Sequence, residues 1–291
     1  MAESVVVEAG DGGLTRARVS GARAEAELYL QGGHLTRWQP HGAAPVLFLS
    51  RRAAYAPGKA IRGGVPLIFP WFGAHATDRQ APMHGFARAR DWRLLSRGDG
   101  PDGAVVLELG LDDDEATRRL WPPTFALRYR VIVGATLHMA LEIVNTSPLP
   151  FTFEAALHTY VAVGDVEAVA VSGLEDTIYL DKVDAFGRKR HGAGPLRLTG
   201  ETDRVFLGTR ARCVVDDPVL GRRVVVDKTG SATTVVWNPW ALKARDIADL
   251  EPDDWRRMLC VETANAADDA VTLPAGGRHL MSATLSLAAR A

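Results

Sequence analysis

The sequence predicts an all-β protein: one large, mainly antiparallel sandwich with few short helices. Many short segments alternate apolar and polar residues, which is the pattern of half-buried strands, and Gly or Pro separates them. Long helical periodicity is absent from the 291 residues. Because no linker and no repeat of fixed period divides the chain, residues 1–291 are expected to form a single domain.

The composition is that of a globular protein without a broad charged field. Hydrophobic residues make up 47% of the chain, charged residues 24%, and the formal net charge is -1. Cys213 and Cys260 provide no disulfide framework, which favours a reducing compartment. The start of the chain lacks an export signal, and nowhere do ~18 uncharged apolar residues run together. We therefore expect a cytoplasmic monomer that binds a small molecule, with neither nucleic acid nor membrane as a partner.

The first predicted strands fall within residues 14–50, where segments such as 27–31 alternate. After a long irregular stretch, strands are predicted at residues 92–97 and 105–111. The acidic run 112–115 is interpreted as a solvated turn or the start of a short helix. Strands at 125–133 and 136–145 are predicted to form a hairpin that turns near Gly134.

Residues 151–163 are predicted to form one strand that carries the most informative pattern. Phe151, Phe153 and Leu157 fall on one face, and His158 and Tyr160 fall on the other. His158 is thus expected to point away from the apolar layer. Further strands are predicted at residues 166–171, 178–180, 212–215, 223–226, 233–237, 258–263 and 279–288. Residues 237–240 are predicted to be a turn with two indoles, and 251–255 the first turn of a short helix.

The irregular stretch, residues 61–90, combines four arginines with a Gly-Gly pair and many apolar residues. The apolar content argues against disorder, so an ordered binding loop is predicted. Gly63 and Gly64 permit tight turns in which N–H groups can converge on an anion, and Arg62 supplies a planar fork suited to phosphate or carboxylate. The alternative is an irregular loop that covers the core and carries solvated arginines. Composition alone does not separate the two.

Three polar residues are candidates for chemistry. Glu262 lies in an apolar segment, where a carboxylate is costly to bury without a partner. His158 is the best general acid or base because imidazole titrates near neutral pH. Asp203 lies in a turn-like stretch, where a carboxylate ordinarily caps a turn. For each of these residue types in isolation a structural role is the commoner one, and His158 and Glu262 are 104 positions apart (262 minus 158).

Several well-known functional motifs are absent from the sequence. It contains neither a phosphate-binding G-x-x-x-x-G-K-[ST] loop nor a dinucleotide-binding G-x-G-x-x-G, and it lacks the H-E-x-x-H and G-x-S-x-G signatures. The eight histidines show no tight ligand spacing beside cysteines. We therefore expect no metal and no cofactor.

The chain resembles the hexose-6-phosphate mutarotases, or glucose-6-phosphate 1-epimerases, of the aldose 1-epimerase family. The resemblance occurs in family order and spans most of the chain. Its segments are residues 61–64 (IRGG), 69–73 (FPWFG), 84–88 (HGFAR), 156–160 (ALHTY), 200–203 (GETD), 236–240 (VWNPW) and 260–265 (CVETAN). It implies a galactose-mutarotase-like β-supersandwich with the sugar in a shallow cleft, and a single aldose 1-epimerase-like domain.

The resemblance also implies roles for particular residues. His158 would be the general acid and Glu262 the general base, while Arg62 and Arg88 would hold the sugar or its phosphate. Asp203 would bind hydroxyls. The other residues expected to bind substrate are His84, Trp71 and Trp237, with Trp240 a further candidate for an apolar face, and Lys243 and Arg79 weaker phosphate candidates. Core packing is the alternative for at least one of the tryptophans, and a surface role is the alternative for Lys243 and Arg79.

One position departs from the family pattern. The residue before His84 is often Gln in this family, whereas here it is Met83. Because a thioether makes no comparable hydrogen bond, that contact and the sugar preference are open.

These observations predict an isomerase that interconverts the α and β anomers of a hexose 6-phosphate, with glucose 6-phosphate foremost. The reaction needs one acid and one base that open and reclose the sugar ring. Two alternatives stay open at this point: a mutarotase of unphosphorylated aldoses, and a non-catalytic carbohydrate-binding module.

Overall fold

Nearly all of the regular structure in residues 4–290, which a computed structural model describes, is antiparallel β-sheet. In chain order the strands are β1 (Val5–Ala9), β2 (Thr15–Ser20), β3 (Ala24–Tyr29), β4 (His34–Pro40), β5 (Leu67–Ile68), β6 (Arg93–Asp99), β7 (Val105–Asp112), β8 (Phe125–Val133), β9 (Leu137–Asn145), β10 (Phe151–Phe153), β11 (Ala155–Leu157), β12 (Tyr160–Ala162), β13 (Ala170–Ser172), β14 (Ile178–Asp181), β15 (Gly187–Arg190), β16 (Thr202–Phe206), β17 (Cys213–Asp217), β18 (Arg222–Thr229), β19 (Thr233–Asn238), β20 (Met258–Asn265), β21 (Val271–Leu273) and β22 (Arg278–Ala289). The described residues contain two α-helices, α1 (Glu115–Leu120) and α2 (Trp240–Asp246). The predicted all-β, mainly antiparallel architecture with few short helices is confirmed.

Two eight-stranded sheets form the body of the protein. The first, called here the cleft sheet, has the order β15-β14-β16-β19-β20-β11-β5, and β12 also pairs with β20. The second has the order β13-β17-β18-β22-β9-β8-β7-β6. A four-stranded sheet, β1 to β4, and the pair β10-β21 complete the fold. One hydrophobic core cluster joins these sheets, since it contains Leu28, Leu141, Val261 and Leu285.

The alternating segments become strands because each buries one face. Along β8 every second residue from Phe125 to Val133 is buried, and β9 pairs with it from Phe125 opposite Asn145 to Val133 opposite Leu137. The predicted hairpin near Gly134 is therefore confirmed. The acidic run also behaves as predicted, because the Asp114 side chain accepts a hydrogen bond from the Thr117 N–H and caps α1.

The prediction of one continuous strand over residues 151–163 is wrong. The segment forms β10, β11 and β12, which are interrupted at Glu154 and at His158–Thr159. β10 pairs with β21, whereas β11 and β12 pair with β20, so the chain must leave one sheet to enter the other. At the second interruption the His158 N–H donates to the carbonyl of Pro66 and not to a strand partner.

Two other predictions for local structure need correction. The strand predicted at 166–171 begins only at Ala170. The predicted turn at 237–240 forms where β19 ends at Asn238 and α2 begins at Trp240, and the Asn238 side chain accepts a hydrogen bond from the Trp240 N–H. The helical turn predicted at 251–255 is a 3-10 helix at Asp254–Arg257.

Residues 61–90 form an ordered loop that both covers the core and reaches the cleft sheet, where it supplies β5. The prediction that Gly63 and Gly64 present N–H groups to an anion is wrong for Gly64, whose N–H donates to the Phe48 carbonyl at 2.6 Å. A Cβ on Gly64, at φ 61°, would lie 2.2 Å from the Leu35 carbonyl oxygen. Glycine is required there because two backbone segments approach closely.

β20 is the strand that positions the functional residues. All eight of its residues, Met258–Asn265, are buried. It pairs with β19 on one side and with both β11 and β12 on the other, so it lies in the middle of the cleft sheet. A strand that is buried on both faces and paired on both edges is a rigid support for side chains.

Within residues 4–290, no helix has the length and apolar character needed to cross a bilayer. The expected single domain, monomeric state and cytoplasmic location stay predictions.

We expect Gly64→Ala to destabilise the protein much more than Gly42→Ala. Both glycines have φ between 60° and 80°, so both variants incur the left-handed strain of about 1–2 kcal/mol. Only Gly64 also meets backbone atoms, whereas a Cβ on Gly42 has no atom within 4 Å, so an additional cost of about 1–3 kcal/mol is expected for Gly64→Ala. Urea unfolding of both variants measures the difference, and equal losses would contradict the close approach.

Candidate active site

A cleft of about 470 Å³ opens on one face of the cleft sheet. Its walls combine histidines, aromatic rings and charged groups. The lining residues are Arg62, Phe72, Met83, His84, Arg88, His158, Tyr160, Lys182, Phe186, Asp203, Trp237, Lys243 and Glu262. Seven of the eight predicted site residues therefore meet in one cleft, and Trp71 is the exception.

The strand register explains how distant residues meet. Leu157 lies opposite Thr263 in the β11–β20 pair, and Tyr160 lies opposite Cys260 in the β12–β20 pair. The same register runs through the interruption, so it places His158 across from Glu262. The Nε2 atom of His158 is 3.3 Å from the Oε1 atom of Glu262. The antiparallel pairing of β11 and β12 with β20 thus brings together two residues that are 104 positions apart in the chain.

The other side of the cleft floor follows from the same geometry. Asp203 lies opposite Trp237 in the β16–β19 pair, and Trp237 lies opposite Cys260 in the β19–β20 pair. Directly opposed residues point to the same face of a sheet. Asp203, Trp237, Cys260 and Tyr160 therefore form a row across the sheet, and Glu262 lies two residues along β20 from that row on the same face.

His158 and Glu262 share a site that holds little charge. Their residues are 6% and 1% exposed. Burial lowers the pKa of His158 well below its ordinary value, and the neighbouring His84 and Arg88 lower it further. Burial raises the pKa of Glu262 well above its ordinary value, and the Asp203 carboxylate adds to this rise. Burial thus favours the uncharged form of each group.

Two atoms of this pair are available to a ligand. Among the described residues, Glu262 Oε2 and His158 Nδ1 are buried without a hydrogen-bond partner. Buried polar atoms in folded proteins are nearly always hydrogen-bonded. An unpartnered carboxylate oxygen at the floor of a cleft is therefore a natural acceptor for a hydroxyl group.

Cationic groups dominate the walls of the cleft. Arg62 is fixed by two contacts, since its Nε donates to Asp249 at 3.0 Å and its Nη1 donates to the Tyr160 hydroxyl at 3.1 Å. The Nη2 of Arg88 donates to the Met83 carbonyl at 2.8 Å. The Nζ of Lys182 lies 2.9 Å from Asp203. Guanidinium groups held by such contacts are positioned to bind an anion such as phosphate.

His84 is held as a neutral hydrogen-bond donor. Its backbone has φ 66°, and its Nδ1 accepts a hydrogen bond from the Gly73 N–H at 3.1 Å. Burial lowers its pKa well below the ordinary value, with Arg88 and Lys182 contributing in the same direction. The single ring proton must then lie on Nε2. The His84 ring lies edge-on to the His158 ring, with 5.8 Å between centroids.

The three tryptophans have different environments. Trp71 is 8% exposed, and its Nε1–H donates to the Pro82 carbonyl, so it packs beneath the loop and does not line the cleft. Trp240 packs against Trp255 at 4.6 Å between ring centroids. Trp237 alone of the three lines the cleft. The sequence could not separate them because an indole serves equally well in a core and in a sugar site.

Sequence reasoning missed several cleft residues: Phe72, Tyr160, Lys182 and Phe186. Tyr160 could have been found, since alternation puts it on the same face as His158. Lys182 and Phe186 carry no such signal, because they lie in the turn between β14 and β15. Phe186 is 58% exposed and has φ 62°, so an aromatic ring is held out at the mouth of the cleft.

A buried histidine behind the cleft supports Arg62. The Nε2 of His34 lies 2.7 Å from the Gly63 carbonyl oxygen. Burial lowers the pKa of His34 to about 4. His34 is thus neutral at pH 7, and its Nε2–H donates to Gly63. This bond fixes the backbone next to Arg62.

Three potential metal-ligating side chains also converge at the cleft floor. The ligand atoms of His158, Cys260 and Glu262 all lie within 4.8 Å of one another. This cluster could not be predicted from the sequence, because the spacing of these residues along the chain matches no metal-binding motif.

Comparison with known proteins gives consistent matches. A family model described as aldose 1-epimerase matches residues 18–286. A protein of Cenchrus ciliaris named "Putative glucose-6-phosphate 1-epimerase" is 36% identical over 287 residues, covering 94% of this chain and 86% of the relative. The crystal structure of a "putative mutarotase" from Salmonella typhimurium has a TM-score of 0.92 and 33% identity, covering 99% of this chain and 94% of that one.

A more distant structure shows how far the fold extends. A galactose mutarotase related enzyme from Lactobacillus acidophilus has a TM-score of 0.75 at 14% identity, covering 94% of this chain and 97% of that one. At this identity the match shows the fold alone. The expected galactose-mutarotase-like β-supersandwich is confirmed.

We expect His34 to make stability depend on pH. In the unfolded chain a histidine binds its proton near pH 6.5, whereas native His34 binds it near pH 4. Between these values the unfolded state binds more protons, so stability is fully present above pH 6.5 and falls as the pH falls towards 4, by up to about 3 kcal/mol. Urea unfolding at several pH values should show the wild type losing its advantage over His34→Gln across this window. A difference that is independent of pH would contradict the assignment.

Proposed function

The chain belongs to the aldose 1-epimerase family, and from that premise we propose that it interconverts the α and β anomers of a hexose 6-phosphate, with glucose 6-phosphate as the expected substrate. The observation that carries the proposal is the buried His158–Glu262 pair at the floor of a cleft whose walls bear Arg62 and Arg88. The pair can supply an acid and a base, and the arginines can supply the recognition of a phosphate.

The chemistry requires two coupled proton transfers. The Glu262 carboxylate accepts the proton of the hydroxyl on C1, and protonated His158 donates a proton to the ring oxygen, so that the bond between C1 and that oxygen breaks. The aldehyde carbon then turns about its bond to C2. Closure from the opposite face reverses both transfers and gives the other anomer. No bond to the protein forms, and no redox change occurs.

A pair that holds one proton is suited to this cycle. Transfer of that proton from Glu262 to His158 creates the base and the acid together, with no change in the total charge of the buried site. Ring opening returns the proton to Glu262 by way of the substrate. Because both side chains are buried, each proton transfer is between fixed groups and needs little reorganisation of solvent.

A bound phosphate would assist the acid. Arg62 and Arg88 contribute to the lowering of the His158 pKa. An anion between these guanidinium groups reduces the positive potential at His158 and raises its pKa back towards the ordinary value. The substrate's phosphate would in this way favour the protonated imidazole that the ring-opening step needs.

Other cleft residues have complementary roles in the proposal. Asp203, held by Lys182, would accept hydrogen bonds from sugar hydroxyls, and the Nε2–H of His84 would donate to an oxygen. Trp237 and Phe186 offer apolar faces to the ring. Met83, 52% exposed at the cleft, offers no strong hydrogen bond where the family often has glutamine.

The direct test follows the appearance of the β anomer. Freshly dissolved α-glucose 6-phosphate is mixed with the protein, and a β-specific dehydrogenase reports the product, with free glucose and free galactose in parallel. Acceleration for the phosphate alone is expected. Acceleration for the free sugars alone would indicate a mutarotase of unphosphorylated aldoses, and binding without acceleration would indicate a non-catalytic module.

His158→Ala and Glu262→Gln are each expected to lower kcat by about 10²–10⁴-fold, because a positioned acid or base typically contributes that much. Circular dichroism should show that both variants stay folded. His41→Ala is the control, since His41 is exposed and is not a lining residue. Wild-type turnover in either cleft variant would refute the assigned roles.

Arg88→Ala is expected to weaken the use of glucose 6-phosphate by about 10–100-fold in kcat/KM, since a hydrogen bond to a charged group contributes about 1.5–3 kcal/mol. Activity on free glucose, measured at high concentration, should change little. Arg88→Lys should recover part of the loss, and Arg79→Ala, which removes an exposed arginine that is not a lining residue, should match the wild type. An equal loss on both sugars would remove Arg88 as a phosphate ligand.

A further inference from the structure

The floor of the cleft contains a set of donors that the proposed reaction does not fully use. His158 and Glu262 line the cleft, and Cys260 lies two residues from Glu262 on the same face of β20. Cys260 is 0% exposed and is not a lining residue of the cleft. A sugar in the cleft would therefore touch the imidazole and the carboxylate but not the thiol.

The distances among these donors suit a tetrahedral metal ion. For bonds of about 2.0–2.2 Å to nitrogen and oxygen, tetrahedral angles place those two ligand atoms about 3.3–3.4 Å apart. His158 Nε2 and Glu262 Oε1 are separated by 3.3 Å. The Cys260 sulfur completes a triangle in which no donor is more than 4.8 Å from another.

The chemical types of the three donor atoms determine which metal ion the cluster prefers. A thiolate together with an imidazole is preferred by Zn²⁺, whereas Mg²⁺ and Ca²⁺ prefer oxygen ligands alone. Three protein ligands leave a fourth position for a water molecule or a substrate oxygen. Because His158 and Glu262 line the cleft, a molecule in the cleft would be next to an ion held between them.

We propose that His158, Cys260 and Glu262 form a binding site for Zn²⁺, and that zinc bound there excludes the sugar. Binding of the ion depends on the cluster alone. The effect on turnover rests on the proposed function, because zinc occupies the imidazole nitrogen and the carboxylate that the reaction needs. Zinc is accordingly an inhibitor that competes with the sugar phosphate, and a chelator reverses the inhibition.

The test separates the thiol from the acid–base pair. Binding of Zn²⁺ alone is measured by competition with a chromogenic chelator for the wild type, Cys260→Ser and Cys260→Ala. Cys213→Ala is the matched control, because Cys213 is also buried and free but lies on β17 in the other large sheet. Co²⁺ serves as a second probe, since a cobalt–thiolate bond gives a charge-transfer absorption that a surface histidine site does not.

The wild type and Cys213→Ala are expected to bind one Zn²⁺ and to show the cobalt–thiolate absorption. Both Cys260 variants should weaken the binding by more than about 100-fold, because even the loss of a group that only supports a ligand costs about 10–100-fold. They should keep their turnover and lose the inhibition by zinc, and Mg²⁺ should not inhibit any of the proteins.

Two results would overturn the site: no stoichiometric zinc binding to the wild type, or unchanged binding in both Cys260 variants. Either result leaves the mutarotase proposal intact. Conversely, zinc binding that depends on Cys260 in a protein without mutarotase activity supports the metal site and refutes the proposed function.

Discussion

The antiparallel ladder between β20 and the interrupted pair β11–β12 is the constraint on which the candidate active site depends. It sets His158 opposite Glu262 and keeps the register through the interruption. Both side chains are almost fully buried at the floor of the cleft, with 6% and 1% of their residues exposed. This burial disfavours a net charge, so it lowers the pKa of His158 and raises that of Glu262.

The fold class and much of the strand pattern could be predicted because alternation records burial residue by residue, as in β8 and β9. The interruption at Glu154 could not, since the chain there changes its pairing partner from β21 to β20, which only the tertiary structure defines. The same holds for Gly64, whose close approach to Leu35 depends on a contact between distant segments. The alternation of apolar and polar residues indicates which residues of a segment are buried. It does not indicate which distant segments of the chain contact each other.

The candidate site residues also include some that could be predicted from the sequence and some that could not. The resemblance selected His158, Glu262, Arg62 and Arg88, and the structure brings all four to one cleft. It also selected Trp71, which packs in the core. The net charge of -1 gave no hint of a cationic cleft. Lys182 and Lys243 join the two arginines there, and these four cationic residues outnumber the two acidic lining residues, Asp203 and Glu262. Recognition of an anion therefore rests on the local arrangement of charge and not on its total.

The turn that carries Lys182 and Phe186 belongs to a different part of the sheet from the strands of the cleft floor. β14 and β15 lie at the sheet's edge, and Lys189 fastens the turn through Asp181 and Asp184, each at 2.8 Å. Its side chains can therefore be exchanged without moving β20. Such modularity makes Phe186 the natural target for directed evolution towards other sugars, whereas Lys182 must be kept because it pairs with Asp203 and helps to set the pKa of Glu262.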